Sequence, residues 1–121
     1  MDTVHVFLPN GDFVGWRSLY DSVHPTYTPD GESIPSVFMR EAGFASYEPA
    51  CIECIHSESP KPLAELLSGA SYLSQWVAQL PVAQPAAACA VCVFSPNLLL
   101  HPDQSQWQYV GAFTYDPEME P

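Results

Sequence analysis

Apolar residues recur along this chain at two spacings, every second position in some stretches and every third or fourth in others, and the changes between them mark out the elements. Val4 to Leu8 reads as a first strand, followed by the turn Pro9-Asn10-Gly11 and by Asp12, a good helix N-cap. Trp16, Leu19, Tyr20 and Val23 then share one helical face, with Arg17, Asp21 and Ser22 outside it, and His24-Pro25 ends the helix. Thr26 to Glu32 has Pro29, Asp30-Gly31 and no period, which predicts a surface loop. A second short helix is expected over Pro35 to Ala42, capped by Ser33 or Ser36, with Phe38, Met39 and Ala42 inward and Gly43 in the left-handed position after it.

Ala50 to Ser57 is apolar on both faces and predicts a central strand. Pro60-Lys61-Pro62 opens a helix carrying Leu63, Leu66 and Leu67, and Gly69 closes it. Ser71 is then read as the cap of a further helix with Leu73, Trp76, Val77 and Leu80 inward, followed by a linker from Pro81 to Pro85. Ala86 to Ser95 is a second buried strand. Trp107 to Tyr115 is the last, with Trp107, Tyr109, Gly111, Phe113 and Tyr115 assigned to one face. The order predicts an α+β fold: a single sheet of about four strands with helices packed mainly on one face. One domain over residues 1–115 is expected, followed by a mobile acidic tail over residues 116–121.

Composition narrows the function classes. The chain has 121 residues, near the usual size of one domain, and its 47% apolar share supports a folded core. Fourteen acids against three Lys and Arg give a net charge of −11, which repels phosphate backbones and anionic membranes and favours a cationic protein partner. Nucleic acid and membrane are therefore not expected as partners. The start Met1-Asp2-Thr3-Val4-His5 lacks the features of a secretory signal, and Ala86 to Phe94 is about half the length of a membrane span. A cytoplasmic location, with the four cysteines reduced, is the expectation.

Cys51-x-x-Cys54 and Cys89-x-x-Cys92 have the spacing of zinc ligands, yet both pairs fall inside strands, where residues three apart point to opposite faces. The ordinary reading is four buried thiols, and a cysteine-based metal-binding or redox regulator is the alternative. Cys54 with His56 offers a nucleophile and a base on one strand face, without the glycine-flanked turn or oxyanion loop that thiol catalysis uses. Glu53 reads as a structural hydrogen-bonding group. The six glycines form no phosphate-cradling loop, so no cofactor, metal or catalytic residue is assigned.

Several strings add a family likeness. Ser36-Val37-Phe38-Met39-Arg40-Glu41-Ala42-Gly43-Phe44, Tyr47-Glu48-Pro49, Ile52-Glu53, Leu66-Leu67, Ser71-Tyr72 and Tyr109-Val110-Gly111-Ala112-Phe113 resemble the immunity protein 22 family over residues 4–115. Its members are small bacterial proteins encoded beside polymorphic toxins, which they neutralise by binding. The resemblance implies a cognate toxin as partner and supplies no catalytic or contact residues. A basic nuclease domain suits the charge, because a nuclease needs a positive cleft for its substrate. From exposure and residue type, the candidate contacts are Asp12, Asp30, Glu32, Glu48, Glu58 and Asp103, with Tyr27 and Tyr47 as aromatic anchors.

Overall fold

The computed structural model describes residues 1–11, 13–81 and 86–119. Asp12, most of the expected linker (residues 82–85) and the end of the tail (residues 120–121) lie outside them. The chain order is β1 (Asp2–Leu8), α1 (Trp16–Val23), β2 (Thr26–Tyr27), β3 (Ser33–Ile34), α2 (Val37–Ala42), β4 (Ile52–Lys61), α3 (Leu63–Leu66), α4 (Leu73–Trp76), β5 (Ala87–Phe94) and β6 (Gln108–Tyr115). Short 3-10 turns at Pro49–Cys51, Val77–Gln79 and Pro102–Gln104 connect them. Four strands form one antiparallel sheet in the order β4-β5-β1-β6, and β2 and β3 form a separate small hairpin. The fold is α+β, as expected.

The two central strands explain why the sheet is covered on both sides. In β5, Ala90, Cys92 and Phe94 point to one face and Cys89, Val91 and Val93 to the other, all of them buried. β1 divides likewise, with Val4, Val6 and Leu8 opposite Phe7. Each apolar row needs its own cover. Leu63, Leu66, Leu67 and Trp76 from α3 and α4 close the first face, and Leu19, Val23, Phe38 and Ala42 from α1 and α2 close the second. Helices therefore lie on both faces, where the sequence suggested mainly one.

β4 is at the sheet edge, not in its centre. Its apolar first half is partly covered, while residues 58–60 are exposed: α1 and α3 pack against the strand, and the Trp16 indole N–H donates to the Cys54 carbonyl at 2.8 Å. A side chain thereby blocks part of an edge that could otherwise pair with another strand. Trp16 is accordingly half-exposed at the rim of α1 and not in the core, and Gly15 caps the helix. Glu53 is structural. Its carboxylate accepts from the Ser71 backbone N–H at 3.0 Å and from the Ser71 hydroxyl, which clasps the turn before α4 to the sheet. Tyr72, not Ser71, holds the N-cap position of α4, in a left-handed conformation.

A bulge redirects the aromatics of β6. Val6 pairs with Gly111 while Phe7 pairs with Tyr109, so Val110 is an extra residue. Phe113 and Tyr115 consequently join the first face, while Tyr109 and Trp107 join the second beside Phe7 and Phe38. The first tail residues stay close to α4: Asp116 N–H donates to Gln75 Oε1 at 2.7 Å, and the Tyr72 hydroxyl donates to the Pro117 carbonyl at 3.3 Å.

The segment expected as a loop is a hairpin, because Gly31 adopts φ +85° and Thr28 closes the turn. Thr28 N–H donates to the Glu32 carbonyl at 2.9 Å, and Glu32 N–H donates to the Thr28 hydroxyl at 3.0 Å. Ser36 caps α2 by accepting from Met39 N–H at 3.1 Å, and its hydroxyl donates to the Val23 carbonyl, which ties the start of α2 to the end of α1. Gly43 ends α2 at φ +71°, where a Cβ would lie only 3.3 Å from the His101 backbone nitrogen. Only glycine fits there without displacing the neighbouring chain.

Candidate partner-binding surface

The surface richest in unusual chemistry is the outer side of α1, the β2–β3 hairpin and the start of α2. Trp16, Tyr20 and His24 are spaced four apart on α1 and its C-cap, so their rings follow one another along the helix. Centroids are 4.9 Å apart for Trp16 and Tyr20 and 3.9 Å for Tyr20 and His24. Arg17 stands over the Tyr20 ring at 5.3 Å and pairs with Asp21 at 3.3 Å. That exposed pair contributes little to stability.

His24 is the buried end of this row, with 5% of its surface exposed. Its Nδ1 shares a 2.6 Å hydrogen bond with the Tyr47 hydroxyl, while Nε2 is buried without a hydrogen-bond partner. Two hollows meet at this residue. A cleft of about 410 Å³ opens between α1, β3 and α2 and runs to Trp107. A groove of about 560 Å³ lies on the other side, walled by Tyr20, Tyr27 and Tyr47. The cleft has an apolar floor of Phe13, Phe38 and Trp107, whereas Asp21 and Glu41 stand among its walls. Glu41 is held in place by Gln106, whose backbone N–H donates to it at 3.1 Å.

Burial sets the titration of this site. The Tyr47 phenol is pushed up to about 12, first by desolvation and then by the nearby Tyr20, Tyr27 and Glu48. His24 is lowered from its ordinary 6.5 by desolvation, partly opposed by Asp21. The unfolded chain therefore takes up a proton at His24 before the folded protein does. Stability from this residue is intact above about pH 6.5 and is lost as pH falls through that value toward the lower folded pKa. Urea denaturation at stepped pH from about 7 to 5 is expected to show a steeper loss of unfolding free energy in the wild type than in His24→Gln. Equal slopes would remove His24 from that account.

The candidate contacts are not all in one place. Tyr27, 63% exposed, and half-buried Tyr47 do face the same groove, and exposed Glu48 follows Tyr47. Asp30 and Glu32 are exposed on the neighbouring hairpin turn. Glu48 is fastened by Asn97, whose buried side chain accepts from Glu48 N–H at 2.7 Å and donates to its carbonyl at 3.1 Å. Glu58 lies apart, beside Val14 and Pro60 toward the far end of β4, and Asp103 lies in the 3-10 turn near Tyr109. Asp12 is outside the described residues. Asp21, His24, Ile34, Val37, Glu41 and Trp107 escaped the sequence reading. The available signal was His24-Pro25 directly after an aromatic row at helical spacing, which read as a helix stop.

The cysteines separate as strand geometry requires. Cys51 and Cys92 belong to the first face and Cys54 and Cys89 to the second, all four as free thiols. Among the described residues, no group of three or more His, Cys, Asp or Glu converges as metal ligands do. Desolvation raises all four thiols, Cys54 to about 12, so none is a ready thiolate at neutral pH. His56 Nε2 is 3.0 Å from the Phe13 carbonyl, to which it donates, and so has no lone pair there for Cys54.

A family model described as immunity protein 22 matches residues 6–116. The chain belongs to the immunity protein 22 family, and a role in immunity against a toxin follows from that membership. No curated protein and no solved structure matches it. Among the described residues, no helix is long and apolar enough to cross a membrane.

Proposed function

We propose that the protein neutralises one cognate toxin by stoichiometric binding, without turnover or cofactor, and that the toxin's active domain is a basic nuclease. The observation that carries this reading is the family match over residues 6–116, and the net charge of −11 adds the class of toxin. A nuclease holds its substrate in a positive cleft, which an acidic protein complements in shape of potential. Such a complex belongs in the cytoplasm, where nucleic acid would otherwise be cut.

Exposed Tyr27, Ile34 and Val37 on the same side as the aromatic row supply the apolar part of a contact, with exposures of 63, 46 and 51%. The acids Asp30, Glu32 and Glu48 surround them, and Glu58 and Asp103 extend the field without belonging to this patch. Purification of the tagged protein from its native cells at low salt is expected to recover a single basic toxin domain at one to one, inhibited in a nucleic-acid cleavage assay by equimolar protein. Recovery of a toxin with a different chemistry would retire the nuclease assignment. Failure of any toxin to bind would retire the whole reading.

A further inference from the structure

We propose that Gln75 and Gln79 act together as a false strand, closing the β6 edge of the sheet against pairing with a second copy of this chain. The sheet order places β6 at one end, and its sequence from Gln108 to Tyr115 holds no charged residue and no proline. Such a strand, open along one side, is a template for another of its kind. The opposite edge is defended from within. There β4 carries Glu58, Pro60 and Lys61 in its second half, and the Trp16 indole covers the Cys54 carbonyl. β6 has no such residue, so its guard must come from elsewhere in the chain.

That guard comes from α4 and the 3-10 turn that continues it. The Gln79 side-chain amide donates to the Thr114 carbonyl at 3.0 Å and accepts from the Thr114 N–H at 3.2 Å. Gln75 treats Asp116, the residue after the strand, in the same way, donating to its carbonyl at 3.1 Å and accepting from its N–H at 2.7 Å. Each amide thus reproduces the paired N–H and C=O that one residue of a neighbouring antiparallel strand would offer. The spacings match. Four residues of helix advance about 6 Å and two residues of strand about 6.7 Å, so amides four apart on the helix meet every second residue of the edge.

The chain's charge supplies a second restraint on self-association. Two copies each carrying −11 repel one another, and salt screens that repulsion. The glutamines are therefore tested at about 0.5 M salt, where charge no longer hides their effect.

Gln75→Ala combined with Gln79→Ala removes both amides from one partly exposed and one exposed position while keeping good helix formers. In dilute wild-type protein the Thr114 and Asp116 amides are expected to be protected from hydrogen exchange although they lie at the sheet edge. In the dilute double variant they should exchange at least about tenfold faster. As concentration rises, sedimentation is expected to show the variant dimerising at concentrations at least about tenfold below any at which the wild type does. Amides of β6 should regain protection in that dimer, because the second copy's strand accepts from them. Unchanged exchange in the dilute variant, association no stronger than that of the wild type, or dimers in which no β6 amide regains protection would each overturn the proposal. Should the double variant fail to fold, Gln79→Ala alone, at the exposed position, carries the same test at Thr114 with the same outcomes.

Discussion

Association with the cognate toxin is expected to slow by roughly 10- to 1,000-fold as ionic strength rises from about 0.02 to 0.5 M, with dissociation changing far less. The cause is the sum of charges, not any single pair. Fourteen acids stand against three cations, and the only ion pair formed among the described residues joins Arg17 to Asp21. Most of the negative field is thus uncancelled and reaches beyond the surface. The screening length is about 10 Å at 0.1 M salt and about 3 Å at 1 M, so added salt removes the long-range pull before contact.

Contacts made after docking are close and partly desolvated, and salt reaches them less. Stopped-flow association across a salt series measures the effect, and charge reversal at Asp30 and Glu32 on the exposed hairpin turn should lower the low-salt rate in the same direction. A flat salt profile would mean that the apolar residues Tyr27, Ile34 and Val37 govern encounter. It would also remove the charge argument for a basic toxin.

How much of this was visible beforehand depended on the range of the interactions. Ser36 and Gly43 are local signals, a hydroxyl that caps an N–H three residues on and a residue free to adopt positive φ, and both act as expected. The alternation in β1 and β5 is local too, and it marked both strands. The position of β4 was not local. An apolar strand at an edge looks like a central one until the covering residues are known, and Trp16, 38 positions away in sequence, is one of them. The β6 bulge likewise comes from pairing with β1, and it moved Trp107 and Tyr109 to the face opposite Phe113 and Tyr115.

The candidate site was legible only in its coarse charge. Acids in loops are visible in any sequence, but their grouping is tertiary, and the structure brings Tyr27 and Tyr47 to one groove while leaving Glu58 and Asp103 elsewhere. The unusual state of His24 was invisible for a different reason. Its significance lies in an unmade hydrogen bond, and sequence records only the donors and acceptors a chain possesses, not those left without partners.

Replacing Trp76 by alanine is expected to cost about 3–5 kcal/mol of stability, a large part of what a domain of this size has. Trp76 is fully buried in the first face, stacked parallel to Phe113 at 5.9 Å, and it packs beneath the strands of the sheet with Leu66 and Leu67. Its indole N–H donates to the Ser71 carbonyl at 3.1 Å, and Ser71 is in turn held by Glu53 of β4. Alanine leaves a cavity and also an unpaired carbonyl in the turn that Glu53 clasps. Trp76→Phe keeps much of the packing and loses the hydrogen bond, so it should fall between wild type and alanine in thermal and urea unfolding. The proposed toxin surface is on the opposite face of the sheet, built by α1, α2 and the hairpin. At temperatures where Trp76→Phe remains folded, its affinity for the toxin should therefore match wild type, and toxin should raise the melting temperature of both proteins by mass action. Equal stability but lost binding in Trp76→Phe would place the contact surface on the α3–α4 side instead.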